Sequence, residues 1–241
     1  MKSCFLKIRC ICLTLLLSCS LVSFSQDWEI THLDDCEQIV SAERFLNNKG
    51  PWIAVIGGFC PTEENYSQAL KAGYLLAEQG YAVITGAGPG IMEAANAGAM
   101  LAGGTSLGIV LAGDELNNYI PEENYLQVSH ICHRLHSMMI LSSGCIAFPG
   151  GLGTMSELCF ALDNFRYNEH CPPVVLVGKQ FWNPLVTWMQ NFYDSANYLK
   201  NLFLVDSAKE AVQIVTSYNK NMPFDFSSTN KTAASAPVFN E

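Results

Sequence analysis

The stretch PGGLGTMSE, Pro149 to Glu157, sets three glycines, a threonine and a carboxylate between an apolar run and a helical pattern. Such a strand-to-helix turn suits an anion. A helix N-terminus leaves backbone N–H groups unpaired and carries partial positive charge, and glycines let the backbone approach closely. Gly150, Gly151 and Gly153 would form the turn, and Thr154 would add a hydroxyl. A second turn, TGAGPG from Thr85 to Gly90, sets Gly86, Gly88 and Gly90 in G-x-G-x-G spacing. Neither turn has the lysine of a Walker-A loop, so an ATPase is not expected. No acidic residue closes the apolar run near Ile109 to Leu111, where a ribose-binding acid of an NAD site would stand.

Two charged residues stand out beside these turns. Glu157 is either an acid favoured by the helix dipole in a first turn, or a carboxylate placed one turn beyond a phosphate cradle to face the rest of a nucleotide. Arg134 opens the helical stretch HRLHSMMILS, where the dipole does not favour a cation. It therefore calls for an anionic partner, a carboxylate or a ligand phosphate. The flanking His133 and His136 read as structural or exposed.

Positioning these residues requires a parallel sheet. Short strands, apolar throughout, alternate with helical patterns from Pro51 onward: WIAVIGG, YAVITG, TSLGIVL, YLQVSHI, GCIAFPG, PPVVLVG and FLVD. Helices are expected at Thr62–Gln79, Gly90–Leu101, His133–Ser142, Gly153–Tyr167 and Phe181–Ser195, and after Ser207, which would cap the last one. Fully apolar strands alternating with helices predict a doubly wound, Rossmann-like α/β domain with helices on both faces of one parallel sheet. Ligands in such sheets bind at the carboxyl ends of the strands, and both glycine turns fall there.

Bulk properties narrow the function classes. The chain has 241 residues, 49% apolar and 15% charged, with a net charge of −9 and no Lys/Arg cluster. A nucleic-acid polymer is therefore not an expected partner. Ten cysteines occur without a CxxC pair, so neither a zinc site nor a redox dithiol is expected. Cys145 and Cys159, at apolar positions of a strand and a helix, read as buried free thiols. Lys2, Lys7 and Arg9 precede an uncharged run from Cys10 to Gln26, with small Ser23 and Ser25 at its end. That pattern reads as a signal peptide over residues 1–25, too short and too rich in Ser and Cys for a stable membrane span. Residues 26–50 read as a lead-in with a helix near Cys36–Asn47, residues 51–221 as the domain, and residues 222–241 as a disordered tail.

PGGLGTMSE fits P-G-G-x-G-T-x-x-E, and TGAGPGIMEAANAGAMLAGGTSLGI and the upstream Arg134 fall where the same pattern expects them. In these features the chain resembles the LOG family, the cytokinin riboside 5′-monophosphate phosphoribohydrolases, formerly labelled lysine decarboxylases. The resemblance spans about Pro51 to Tyr218. It implies a Rossmann-like homodimer that hydrolyses the N-glycosidic bond of a purine nucleoside 5′-monophosphate to free base and ribose 5-phosphate, without a metal or organic cofactor. Arg134 and Glu157 would be the catalytic pair, with Gly150, Gly151, Gly153 and Thr154 on the phosphate. A substrate-contacting acid in the loop before Arg134 matches Glu115 by spacing or Glu123 by its Pro-x-Glu context. The chain departs from the family pattern at Leu135, where a Lys is common, at Ser156, where many members carry an acid, and at Asp163, in place of a Thr. The leader suggests export, whereas the family suggests the cytoplasm. The alternative reading is a Rossmann-like protein that binds a nucleotide or molybdopterin cofactor without hydrolysing it.

Overall fold

A computed structural model describes residues 51–167 and 171–221. The expected signal peptide, lead-in helix and tail lie outside the described residues. Seven parallel strands form one sheet: β1 (Trp52–Ile56), β2 (Ala82–Thr85), β3 (Ser106–Leu111), β4 (Tyr125–Val128), β5 (Cys145–Ala147), β6 (Val174–Val177) and β7 (Leu202–Val205), in the order β4-β3-β2-β1-β5-β6-β7. The described helices are α1 (Glu63–Glu78), α2 (Ile91–Leu101), α3 (Ile131–Ile140), α4 (Leu152–Arg166), α5 (Lys179–Met189), α6 (Ser195–Leu199) and α7 (Ala208–Asn221). This is the doubly wound, Rossmann-like α/β architecture read from the sequence.

The inner strands β1, β2, β5 and β6 are apolar but for Thr85 and buried throughout because both faces of the sheet are covered there, whereas edge strand β4 leaves Tyr125 and Gln127 exposed. Trp52, Ala54 and Ile56 of β1 point into the core shared with α3, α4 and α5, while Ile53 and Val55 point into the core under α1, α2 and α7. The chain runs outward from β1 to β4, then returns to place β5 on the other side of β1, with Ala54 beside Cys145. Strand order reverses there, so the loops after β1 and β5 leave toward opposite faces and open a crevice at the carboxyl edge. Among the described residues no helix is long and apolar enough to cross a membrane.

Local signals set most element ends. Thr62 caps α1 by accepting the Asn65 N–H at 3.2 Å, and Gly80 ends the connection at φ +81°. Ser207 and Glu210 form a reciprocal cap: the Glu210 carboxylate accepts the Ser207 N–H at 3.2 Å, and the Ser207 hydroxyl accepts the Glu210 N–H at 3.3 Å. The helix expected at Phe181–Ser195 instead ends at Met189. Asn191 donates its side-chain amide to the carbonyls of Thr187 and Trp188, and Asp194 turns left-handed at φ +60° before α6. Cys145 is buried as expected, but Cys159 is exposed, because the buried stripe of α4 runs through Thr154, Glu157, Leu158, Ala161, Leu162 and Phe165.

Helices α1 and α2 pack so closely that a Cβ on Gly98 would run into the backbone carbonyl of Leu70. In an isolated helix Gly→Ala gains about 1 kcal/mol. Here Gly98→Ala should instead lower the unfolding free energy by about 1–3 kcal/mol, read from the urea midpoint.

Candidate active site

Three loops meet over the crevice, after β1, β2 and β5. The β5 loop turns into α4 at Gly151, leaving the first N–H groups of α4 without intrahelical partners. Gly150 is held from two sides. A Cβ there would meet both the Thr154 hydroxyl and the Gly58 backbone nitrogen, whose N–H donates to Pro149 O at 3.1 Å. Gly151 and Gly153 have nothing within 4 Å of where a Cβ would stand. The turn is thus packed at its base and open at its lip, as an anion-binding helix start needs. Thr154 and Glu157, three residues apart, share the buried face of α4.

Glu157 lies in the second turn of α4, not the first, so the helix dipole does not account for it. It is 7% exposed. Burial pushes its carboxyl up to about 7, and the nearby Arg134 guanidinium only partly offsets that rise. Arg134, the fourth residue of α3, faces it with Nη2 3.6 Å from Oε1. Nη1 lies 3.9 Å from Oδ2 of Asp114, and Nη2 lies 3.8 Å from the Met92 sulfur. These separations give charge attraction without short hydrogen bonds. Nε of Arg134 is buried and has no hydrogen-bond partner among the described residues. The guanidinium therefore retains donors for a ligand.

The β2 turn makes room for that guanidinium. A Cβ on Gly86 would occupy the space of the Arg134 side chain. Gly90, at φ +75°, starts α2 under the carbonyls of Gly58 and Phe59, and Ile91 N–H donates to Gly58 O at 3.1 Å. Gly88 directs its carbonyl to Asn117, at 3.1 Å. Glu115 and Glu123 are both exposed in the segment between β3 and β4. Within that segment the acid that approaches Arg134 is their neighbour Asp114, which the sequence did not single out; loop spacing does not say which of adjacent acids turns inward.

A buried polar network that sequence reasoning missed fixes this loop. The Thr85 hydroxyl donates to Asn96 Oδ1 at 2.8 Å, and Asn96 Nδ2 donates to Ser106 Oγ at 2.5 Å. Asn117 Nδ2 donates to Ala87 O at 3.0 Å and to Asn96 Oδ1 at 3.0 Å. The one sequence signal was Asn96, a polar residue amid the alanines of α2. His136 packs its ring edge-on against Phe160 with centroids 6.3 Å apart. Of the departures from the family pattern, Ser156 and Asp163 face solvent: Ser156 Oγ donates to Leu152 O at 3.0 Å, and Asp163 pairs with Arg166 at 2.9 Å. Among the described residues no group of three His, Cys, Asp or Glu side chains converges as a metal site.

An open groove of about 450 Å³ runs from Gly150 and Gly151 past Gly58–Thr62 and Asn65 to Phe181. It shares the glycine turn with the site but includes neither Arg134 nor Glu157.

Comparison with known proteins agrees with this architecture. Over 175 residues, 68% of this chain and 93% of the relative, the sequence is 27% identical to a cytokinin riboside 5′-monophosphate phosphoribohydrolase of Mycobacterium tuberculosis. Over 138 residues it is 29% identical to a pyrimidine/purine nucleotide 5′-monophosphate nucleosidase of Escherichia coli, covering 52% of this chain and 30% of that one. The molybdenum cofactor carrier protein of Chlamydomonas reinhardtii aligns with a TM-score of 0.57 over 71% of this chain and 99% of that one, at 22% identity, a likeness of fold alone. A family model described as "Possible lysine decarboxylase" matches residues 92–215, more than half of the sequence, and the chain belongs to that family, the LOG family.

Proposed function

We propose that this protein hydrolyses the N-glycosidic bond of a purine nucleoside 5′-monophosphate, releasing the free base and ribose 5-phosphate. The observation that carries the proposal is a carboxylate buried against an arginine one turn beyond an open glycine-rich helix start. The names of the Mycobacterium and Escherichia relatives support the same class of reaction.

In this reading the 5′-phosphate docks on the N–H groups at Gly150–Thr154, and the free donors of Arg134 hold the phosphate or the ribose hydroxyls. Cleavage of the glycosidic bond builds positive charge on the ribose ring, an oxocarbenium-like state. Glu157, as the carboxylate, stabilises that charge and orients and deprotonates the attacking water. With its carboxyl titrating near 7, Glu157 divides between both forms near neutrality and can return the proton after the bond breaks.

Purified protein incubated with AMP should release adenine, followed by chromatography. Glu157→Gln should cut kcat by about 10²–10⁴-fold. Base release by Glu157→Gln equal to wild type would remove Glu157 from the mechanism. Stabilisation by AMP without any base release would favour the binding-only reading.

The buried carboxyl also sets two pH dependences. Catalysis by the ionised form requires kcat/KM to rise with pH through about 7, and the residual rate of Glu157→Gln to lack that limb. For stability, the raised value means the folded chain holds a proton that the unfolded chain has released between 4.5 and about 7. Stability therefore falls as pH rises through this window and levels off above it. Relative to wild type, Glu157→Gln should gain up to about 3 kcal/mol across the window, measured by urea unfolding at each pH.

A further inference from the structure

We propose that the crevice is bipartite, and that the groove beyond the glycine turn holds a planar group carried on the far side of the phosphate. The ligands it favours are then 5′-phosphodiesters of a nucleoside, in which the phosphate joins the nucleoside to a second flat ring. The inference rests on the reading of Gly150–Thr154 as the phosphate cradle.

Topology separates the two arms. Gly86, Asp114 and Arg134 belong to the loops after β2 and β3 and to α3, over one half of the sheet. The groove is walled by the loops after β1 and β5 and by the first turns of α1 and α5, over the other half. Gly150 and Gly151 line the groove, and α4, which starts at this turn, carries Glu157 to Arg134 of the other arm. Doubly wound sheets bind two-part ligands across such a reversal point, one part over each half.

The groove has the size and chemistry for a flat, uncharged ring. Its volume of about 450 Å³ lies within the range of pockets that enclose small ligands. No charged side chain lines it. Two of its walls are Phe59 and Phe181, 72% and 48% exposed, with Phe181 also packed at right angles on Trp182 at 4.8 Å, and exposed aromatic rings of this kind offer surface for stacking. The Asn65 side chain supplies an amide for a ring heteroatom.

Charge points the same way. The cradle has no Lys or Arg on the groove side, and one helix start provides only about half a positive charge. Glu63 and Glu64 open α1 beside the groove and add negative charge. A phosphate monoester carries about −1.5 to −2 at neutral pH, whereas a diester carries a single negative charge. On the groove side, away from Arg134, a singly charged diester is the better match, and its second ring fills the aromatic arm.

The test compares AMP with adenosine 5′-phenyl phosphate by isothermal titration against the full-length protein at about pH 8. The phenyl ester should bind at least about 10-fold more tightly than AMP. Phe181→Ala and, separately, Phe59→Ala should each shrink that preference to about 3-fold or less while leaving AMP affinity within about 2-fold. AMP binding as tightly as the ester, or a preference that survives both substitutions, would overturn the proposal. Adenine release from AMP is scored separately. Base release without ester preference rejects only the second arm, and ester preference without base release rejects only the hydrolase reading.

Discussion

Glu157 and Arg134 face each other at 3.6 Å with little access to water, and the rest of the site is arranged around that pair. Taking two ions out of water costs several kcal/mol each, and attraction at this separation returns only part of it. The residual cost appears as the raised carboxyl of Glu157. The fold tolerates it because both side chains sit on helices locked into one core: Met138 and Met139 follow Arg134 in α3, and Leu158 and Ala161 follow Glu157 in α4. A pair held by rigid elements, yet short of hydrogen bonds, is prepared for a third group.

The second support is polar. Thr85, Asn96, Ser106 and Asn117 link the end of β2, helix α2, the start of β3 and the loop that follows β3. The same network accounts for Ala87, a non-glycine residue at φ +66°, fully buried, whose N–H donates to the Thr85 hydroxyl at 3.0 Å and whose carbonyl accepts from Asn117. A left-handed alanine costs about 1 kcal/mol or more, and it persists because the surrounding bonds hold it. Through Asn117 this network anchors the loop that brings Asp114 to Arg134. The loop that faces the arginine is thus held by hydrogen bonds made in another layer of the fold.

The departures from the family pattern look different once placed in space. Ser156 sits beside Glu157 in sequence but faces solvent, because successive helical residues are about 100° apart and that turn carries it off the buried stripe of α4. Asp163 likewise pairs with Arg166 at the surface. Leu135 is half-buried next to Arg134.

Much of this was legible in the sequence. Apolar strands alternating with helices required a parallel sheet covered on both faces, since the inner strands are apolar on both sides. Glycine, threonine and carboxylate at fixed spacing marked the helix start and Glu157, because turn geometry and helix periodicity are local properties. What only the tertiary structure decided was convergence. Arg134 and Glu157 lie on different helices, Asp114 rather than Glu115 turns toward the arginine, and Asn96 and Asn117 meet across a layer boundary. Cys159 and Ser156 proved exposed for a related reason: which face of a helix meets the core depends on where the sheet lies. Short-range preferences specify the elements, but burial, and with it the chemistry of a carboxylate, depends on what the rest of the chain packs against it.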